Sequence, residues 1–538
     1  PRGLSVMRFE LEGRETVEMV LSPRSGDTVE VYLSAQGEVP AGMVRVPAGA
    51  TSIPNYSGTN MELESFLIDR HEVTNREFKE FIDAGGYNDP AFWLDPMMRG
   101  ESLVVWVAAM EVFVDRTGLS GPATWEAGDF ADDEADLPVQ GVSWFEARAY
   151  AAFREKDLPT AFHWHRAAQV QRASAVVPMS NFGNEGPVVT GNTHGFSGWG
   201  TYDMAGNVRE WVSNASGSDR FILGGAWNDY AYLFNVAYAA DPWNRSHKNG
   251  FRLASYVEGA DLAEAGRPLD LPFRDYNVEQ PVSDETFEAF RSSYAYDPDP
   301  LNATVSKREV AEDWVVDRVA FDAAYGDEQV LADLYVPRSG NAPYQVVVYM
   351  PGSGTITGSL TTLDVYRRRP AFVDFLVKTG RAVMLPAFDG SLDRRRADGI
   401  KHRASETYAY AENTAHWVKD LRRSVDYLET REDIDPERIG YYGYSWGGRL
   451  GAMMLAMEPR LRVGVLYLGG FHPERALPMA DDLNFVPRVR QPVLMINGRE
   501  DYLRPYELSQ VPFFRLLGTA PEHKEHRVFP GGALRAAG

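Results

Sequence analysis

The sequence predicts a multi-domain chain that ends in an α/β domain built on a mostly parallel sheet. Three observations predict it. The length of 538 residues suits two or three domains of ordinary size. From about residue 306 onward, continuous apolar strands alternate with helices, an order that requires a parallel sheet covered on both faces. Before residue 258 the texture differs: rich in Trp, Tyr, Gly and Asn, with short apolar runs and many turn signals.

Composition narrows the function classes. The chain is 44% hydrophobic and 24% charged, a globular balance that supplies more than one core. Its formal net charge is -22 and its pI about 5.0. Such acidity argues against nucleic acid or an anionic membrane as main partner, since both need clustered Lys and Arg. It reads as a solubility device. There is no cysteine, so disulfides, thiolate-bound metals and thiol catalysis are excluded together. No apolar run of about 18 residues is present, so no membrane span is expected. The N-terminus lacks the basic-then-apolar pattern of a signal peptide. It begins with Pro1 rather than Met, as a trimmed chain or a piece of a longer protein would. Nothing in the residues points to a compartment or an oligomeric state.

Taken in order, residues 1–40 alternate weakly in VEMVLSP and TVEVYLS and read as a small β segment. Residues 41–257 form the aromatic, turn-rich domain. Two helices stand out in it, at 75–85 behind Glu72-Val73-Thr74, and at 143–156. The second opens with Ser143 as N-cap and Glu146 three residues later, a capping box. Residues 258–305 are acidic and Pro-containing and read as an ordered linker with one helix near SDETFEAFRSSY. Residues 306–538 then carry the α/β pattern. VVVYMPGSG, RAVMLPAF, RIGYYG, RVGVLYLGG and PVLMING read as strands, with AFVDFLVKTG, TAHWVKDLRRSVDYLETRE and RLGAMMLAM as helices.

The chemistry sits in Gly443-Tyr444-Ser445-Trp446-Gly447, a G-x-S-x-G. A serine on a strained strand-to-helix turn needs small neighbours to relieve crowding. The bare pattern is common, and the bland alternative is an ordinary turn. Here an apolar strand precedes it and an Ala/Met/Leu helix follows, the context the mechanism requires. Ser445 is the candidate nucleophile. The N–H of Trp446, at the helix N-terminus, is one candidate oxyanion donor. The other is Ser353, in the loop Pro351-Gly352-Ser353-Gly354 after an early strand, where the alternative is a plain glycine turn. The acid should follow on a later strand end. Asp501 lies just past PVLMING, with Glu500 beside it as the other choice.

A Ser–Asp pair needs a histidine to take the serine proton. It should follow the last strand, read at HRVFPGG (526–532), but position 533 is Ala. His526 is the candidate base, with His523 and His472 as alternatives. Each of the three also reads as a surface or packing histidine. A lost native C-terminus is the remaining explanation.

Two resemblances extend this reading. Residues 306–532 resemble the α/β-hydrolase superfamily, near its dienelactone-hydrolase and acetyl-esterase branch, through Pro351–Gly354, Gly443–Gly447 and Asn497–Asp501. The resemblance implies a serine carboxylic ester hydrolase acting on short or medium acyl esters. It needs no cofactor. Residues 41–257 resemble the formylglycine-generating enzyme (sulfatase-modifying factor) family through GMVRVPAG, FLIDRHEVTNREFKEFIDAGGY, PVQGVSWFEARAYAAF, GTYDMAGNVREW, ILGGAWND and NGFRLA. This resemblance implies a C-type-lectin-like α+β fold with little regular structure. The family's oxidation uses paired cysteines shortly before the GFR phrase, and Tyr232–Asp241 supplies none. The domain is therefore expected to be catalytically silent. The H-x-H of His163 and His165 is not read as a metal site, because residues two apart on a helix do not share a face. The loop YDMAGNVREW matches a calcium site of relatives, which would use Asp203, Gly206, Val208 and Glu210 as oxygen ligands. A turn held by its own Asp and Asn side chains is the alternative. The domain order resembles the C-terminal half of certain bacterial serine/threonine-kinase fusion proteins.

Two function classes follow. One is a carboxylesterase with a silent accessory domain that covers and shapes its pocket, acting on a small-molecule ester. The other is a non-catalytic module, made of two degenerate enzyme domains, that binds a glycan or peptide. A peptidase or lactonase would use the same serine.

Overall fold

The computed structural model describes residues 5–21, 31–56, 60–257, 262–358, 360–368, 373–397, 399–400 and 402–532. The chain divides into two compact units, Pro1–Pro272 and Phe273–Gly538.

The first unit begins with an antiparallel hairpin, β1 (Ser5–Phe9) and β2 (Val17–Leu21). The strand expected over TVEVYLS does not form in its described part: residues 31–34 are irregular, and 28–30 lie outside the described residues. Beyond the hairpin, short strands, short helical turns and loops accompany three longer helices among the described residues, α1 (Asn75–Asp83), α2 (Trp144–Phe153) and α3 (Ala161–Ala168). Thr74 and Ser143 each close a capping box, accepting from the N–H of Glu77 and Glu146, whose carboxylates reach back to the cap N–H. Two orphan helix donors are satisfied at each start. Aromatic rings do the packing. Phe78 of α1 stacks on Tyr150 of α2 at 5.4 Å, and Phe81 meets both Tyr150 and Phe153. Further on, β3 (Arg209–Ser216) and β4 (Asp219–Leu223) pair antiparallel.

The second unit starts with a stretch expected as linker, yet Tyr276, Phe287 and Tyr294 in it are buried in that unit's main core. Tyr276 stacks on Phe471 at 3.9 Å. The predicted helix is present as α4 (Asp284–Arg291), capped by Ser283.

The centre of the unit is a nine-stranded sheet. Its strands are β5 (Thr304–Val310), β6 (Trp314–Asp322), β7 (Gln329–Pro337), β8 (Tyr344–Met350), β9 (Ala382–Ala387), β10 (Ile434–Tyr444), β11 (Leu461–Tyr467), β12 (Val493–Gly498) and β13 (Lys524–Phe529). In space they run β5-β6-β7-β9-β8-β10-β11-β12-β13. From β9 to β13 every pairing is parallel, and β5 to β7 add an antiparallel edge. Helices α5 (Tyr408–Glu429) and α6 (Trp446–Met457) cover one face of it. β9 is buried at all six positions, as a strand covered on both faces must be. The order of β9 and β8 reverses the chain order, so the loops after β8, β9, β10, β11 and β12 gather at one edge. In open α/β sheets ligands bind at that carboxyl edge.

Candidate active site

Ser445 occupies the one-residue turn between β10 and α6. Its backbone has φ 54° and ψ -99°, a conformation uncommon and strained for a residue with a Cβ. The neighbours explain how the turn is tolerated. A Cβ on Gly443 would lie 2.2 Å from the carbonyl oxygen of Gly447, and one on Gly447 would lie 2.2 Å from that of Met350. Both clashes are with backbone, so neither glycine is replaceable without moving the chain. The turn is pinned from both sides. Ser445 N–H donates to Tyr467 O at 2.9 Å, and Gly447 N–H to Pro351 O at 3.1 Å.

The loop after β8 lies against the nucleophile: a Cβ on Gly352 would stand 3.4 Å from that of Ser445. Ser353 follows at once and caps a short helical turn, Gly354–Thr357. Trp446 is the first residue of α6, so its N–H has no acceptor within the helix. Its indole is buried, edge-on to Trp417 at 4.9 Å and to Phe388 at 6.2 Å.

Asp501 follows β12 and is 1% exposed, whereas Glu500 is only half-buried. Asp501 Oδ1 accepts from the N–H of Leu503 at 2.9 Å and of Arg504 at 3.2 Å. Burial pushes its carboxyl above the ordinary range, against the pull of Arg504. Strands β10 and β12 are two apart, so Ser445 and Asp501 rise from the sheet on the order of 10 Å from each other.

The three candidate histidines occupy different surroundings. His526 sits within β13 with Nε2 3.1 Å from Asn497 Oδ1, and its ring lies on Phe514 and Tyr506. That ring is a packing element of the last strand, and burial holds its pKa down to about 4. His523 lies at the start of the parallel strand β13, the sheet edge opposite Ser445. His472 is in the loop after β11, on the correct edge, with Nδ1 against the Glu474 carboxylate. Burial, followed by Arg504, Arg449 and Arg403, holds its ring well below the ordinary range. Among the described residues, no hydrogen bond joins Ser445 to a histidine. Ala533 lies outside the described residues.

Two clusters at this edge escaped the sequence reading. Asp389, just past β9, is forked by Arg396 at 2.9 and 2.5 Å and bound by His416 Nδ1 at 2.8 Å. The His416 ring stacks face to face on Tyr325 at 3.7 Å. An aspartate at a strand end was the available signal; its partner 27 residues on was not visible. Behind the nucleophile, Arg449 of α6 binds Asp482 at 3.1 Å and Tyr410 at 2.8 Å, all three buried.

In the first unit, the two carboxylates expected to hold calcium bond to protein groups. Both Glu210 oxygens accept from Arg252 at 2.7 Å, and Trp164 Nε1 adds a third bond. Asp203 accepts from Gly191 N–H and Thr193 Oγ1. The carboxylates near Gly206 and Val208 are thus already engaged. His163 Nδ1 is on Thr160 Oγ1 at 2.7 Å, while both ring nitrogens of His165 are buried without a partner. Among the described residues, no group of three or more His, Cys, Asp or Glu side chains is arranged to hold a metal. Nor is any helix there long and apolar enough to cross a membrane.

The sheet order and the strained serine between two glycines define the second unit as an α/β-hydrolase-type domain. The family models agree. The sulfatase-modifying factor enzyme 1-like domain matches residues 31–257, and the dienelactone hydrolase family matches residues 366–511. The chain therefore carries a sulfatase-modifying-factor domain followed by a dienelactone-hydrolase domain. Among relatives, a hercynine oxygenase of Mycolicibacterium smegmatis is 31% identical over 256 residues, covering 44% of this chain and 54% of its own. The inactive C-alpha-formylglycine-generating enzyme 2 of Bos taurus is 28% identical, covering 46% of this chain and 95% of its own. The chain spans about half the length of the hercynine oxygenases it matches. Among solved structures, the acetyl xylan esterase from Paenibacillus sp. R4 is similar at 16% identity and a TM-score of 0.38, covering 48% of this chain and 92% of its own.

Proposed function

We propose that the second unit is a carboxylesterase that hydrolyses short to medium acyl esters through an acyl-enzyme on Ser445. The observation that carries this reading is the Ser445 backbone, strained at positive φ between two glycines that admit no Cβ. Such strain costs of order 1–3 kcal/mol and persists where the surrounding fold enforces it. In this reading Ser445 Oγ attacks the ester carbonyl carbon. The oxygen that gains charge accepts from Trp446 N–H and Ser353 N–H. The C–O bond to the alcohol breaks, the alcohol leaves with a proton, and water then releases the acid. Asp501 is the acid of the set.

Among the described residues no histidine is hydrogen-bonded to Ser445, so in this reading the serine proton goes to water or to an added base. A site with its oxyanion donors but without a working base keeps roughly 10³–10⁴-fold over water. Esterase activity is therefore expected to be weak and to rise when imidazole is added. The test compares this chain with Ser445→Ala on p-nitrophenyl acetate, butyrate and octanoate, with and without imidazole. Imidazole should stimulate the wild type several-fold beyond its effect on the variant. Equal rates for the two proteins at every imidazole concentration would remove the esterase reading.

In the first unit, the absence of cysteine over Tyr232–Asp241 supports a silent accessory role, since the paired-cysteine oxidation of the family has no thiol there. That no histidine is bonded to Ser445 among the described residues favours one second reading, a binding module of two degenerate enzyme domains. Equal inactivity of wild type and Ser445→Ala, with measurable glycan or peptide binding, would put it first.

A further inference from the structure

We propose that Tyr441 is a positioning residue that sets the geometry of the oxyanion hole from beneath the sheet edge. The inference rests on the esterase reading of Ser445. Tyr441 lies on β10, four residues before the serine, and is 1% exposed. Its hydroxyl donates to the carbonyl of Gly447 at 2.6 Å and lies 3.4 Å from Met350 Sδ. These are the two pieces of chain that carry the oxyanion donors. Gly447 follows Trp446 in the first turn of α6. Met350 ends β8 and leads into Pro351-Gly352-Ser353. The same two pieces are already bound by Gly447 N–H to Pro351 O, and a Cβ at Gly447 would strike Met350 O.

The helix packs closely over this ring. A Cβ on Gly451, one turn further along α6, would stand 2.2 Å from Leu466 Cδ2 and 3.0 Å from Tyr441 Cε1. Glycine there lets α6 lie close over both side chains, and the phenol hydroxyl reaches the first turn. Burial raises the Tyr441 pKa far above the ordinary phenol, so the hydroxyl stays a donor throughout any assay range.

The physical consequence is narrow. Oxyanion donors act by being fixed where charge develops, and a shift of about 1 Å is costly. Removing the hydroxyl leaves the ring packing in place and frees the Gly447 peptide from its tie to β10. The hydroxyl touches neither substrate nor Ser445 Oγ, so the loss should fall on turnover and not on binding.

The experiment uses the full chain and Tyr441→Phe, with Tyr441→Met as a second apolar variant. Two rates are read: p-nitrophenyl acetate hydrolysis with added imidazole, and labelling of Ser445 by a fluorophosphonate. In the labelling, the serine oxygen displaces fluoride from phosphorus and a proton is released. Tyr441→Phe is expected to lower kcat and the labelling rate together, about tenfold. KM should stay within about twofold, and the kcat ratio to wild type should be flat between about pH 6 and 9, because no titrating group has been removed. Unchanged kcat and labelling in a folded Tyr441→Phe overturn this proposal alone. Failure of the wild type to label or hydrolyse overturns the esterase reading and this proposal with it.

Discussion

At the residue scale, His165 shows how an unpaired polar group becomes a measurable liability. Its ring is buried in the first unit with neither nitrogen hydrogen-bonded, and burial holds its pKa down to about 3. A histidine in the unfolded chain has a pKa near 6.5. Between those values the unfolded state binds the extra proton, so stability rises with pH across the window and is lost as pH falls. At pH 5 the loss from this one ring is on the order of 2 kcal/mol. His165→Leu should remove it. The melting temperature of the first unit, followed from pH 7 to pH 4, should fall less steeply in the variant than in wild type. Parallel curves would show that His165 finds a partner on folding. In the sequence this residue stood out only as half of an H-x-H. Its burial came from the packing of α3, which residue spacing alone did not reveal.

At the scale of elements, the strand-turn-helix around Ser445 was the most legible part of the molecule. The reason is physical: the turn admits a side chain at position 445 only if positions 443 and 447 have none, so local sterics write themselves into the sequence. Gly447→Ala is the corresponding test. Its Cβ would meet Met350 O at 2.2 Å, so α6 must move from β8. The variant should lose Ser445 labelling altogether and destabilise the second unit by about 1–3 kcal/mol, read as a lowered melting midpoint. Labelling at the wild-type rate would mean that the elbow tolerates the shift. The position of Asp501 just past a strand was legible for a related reason, since strand ends at the carboxyl edge are recognisable from the apolar run before them. The elements that could not be read are those joined by distant side chains. Asp389 and His416 meet across a loop and a helix, and Arg449 meets Asp482 and Tyr410 from three separate segments. No local periodicity records such meetings. The surroundings of His526 were hidden on the same ground: its strand was identifiable, but its side-chain partner, Asn497, belongs to the neighbouring one.

At the scale of the whole molecule, the order of two dissimilar units was visible in composition and texture, while the extent of the connecting stretch was not. Residues near Tyr276 and Tyr294 looked like linker because they are acidic and rich in proline, yet a few aromatic anchors suffice to bury them in the second unit. Each unit has its own hydrophobic clusters. Thermal unfolding should therefore run in two calorimetric steps, and a variant of one unit identifies its step. Arg252→Ala is suited to this. Arg252 and Glu210 are both fully buried and face each other with two 2.7 Å bonds, and Arg252 also reaches the carbonyls of Asp69, Arg70 and Tyr202. Removing one partner leaves Glu210 as a buried charge with only Trp164 to bond it. Breaking a buried pair in this way costs about 3–5 kcal/mol. For a unit of this size that corresponds to roughly 10 °C in one transition. The other transition should stay in place, and Ser445 labelling should persist at temperatures below it. A single transition that shifts as a whole would show instead that the two units unfold as one.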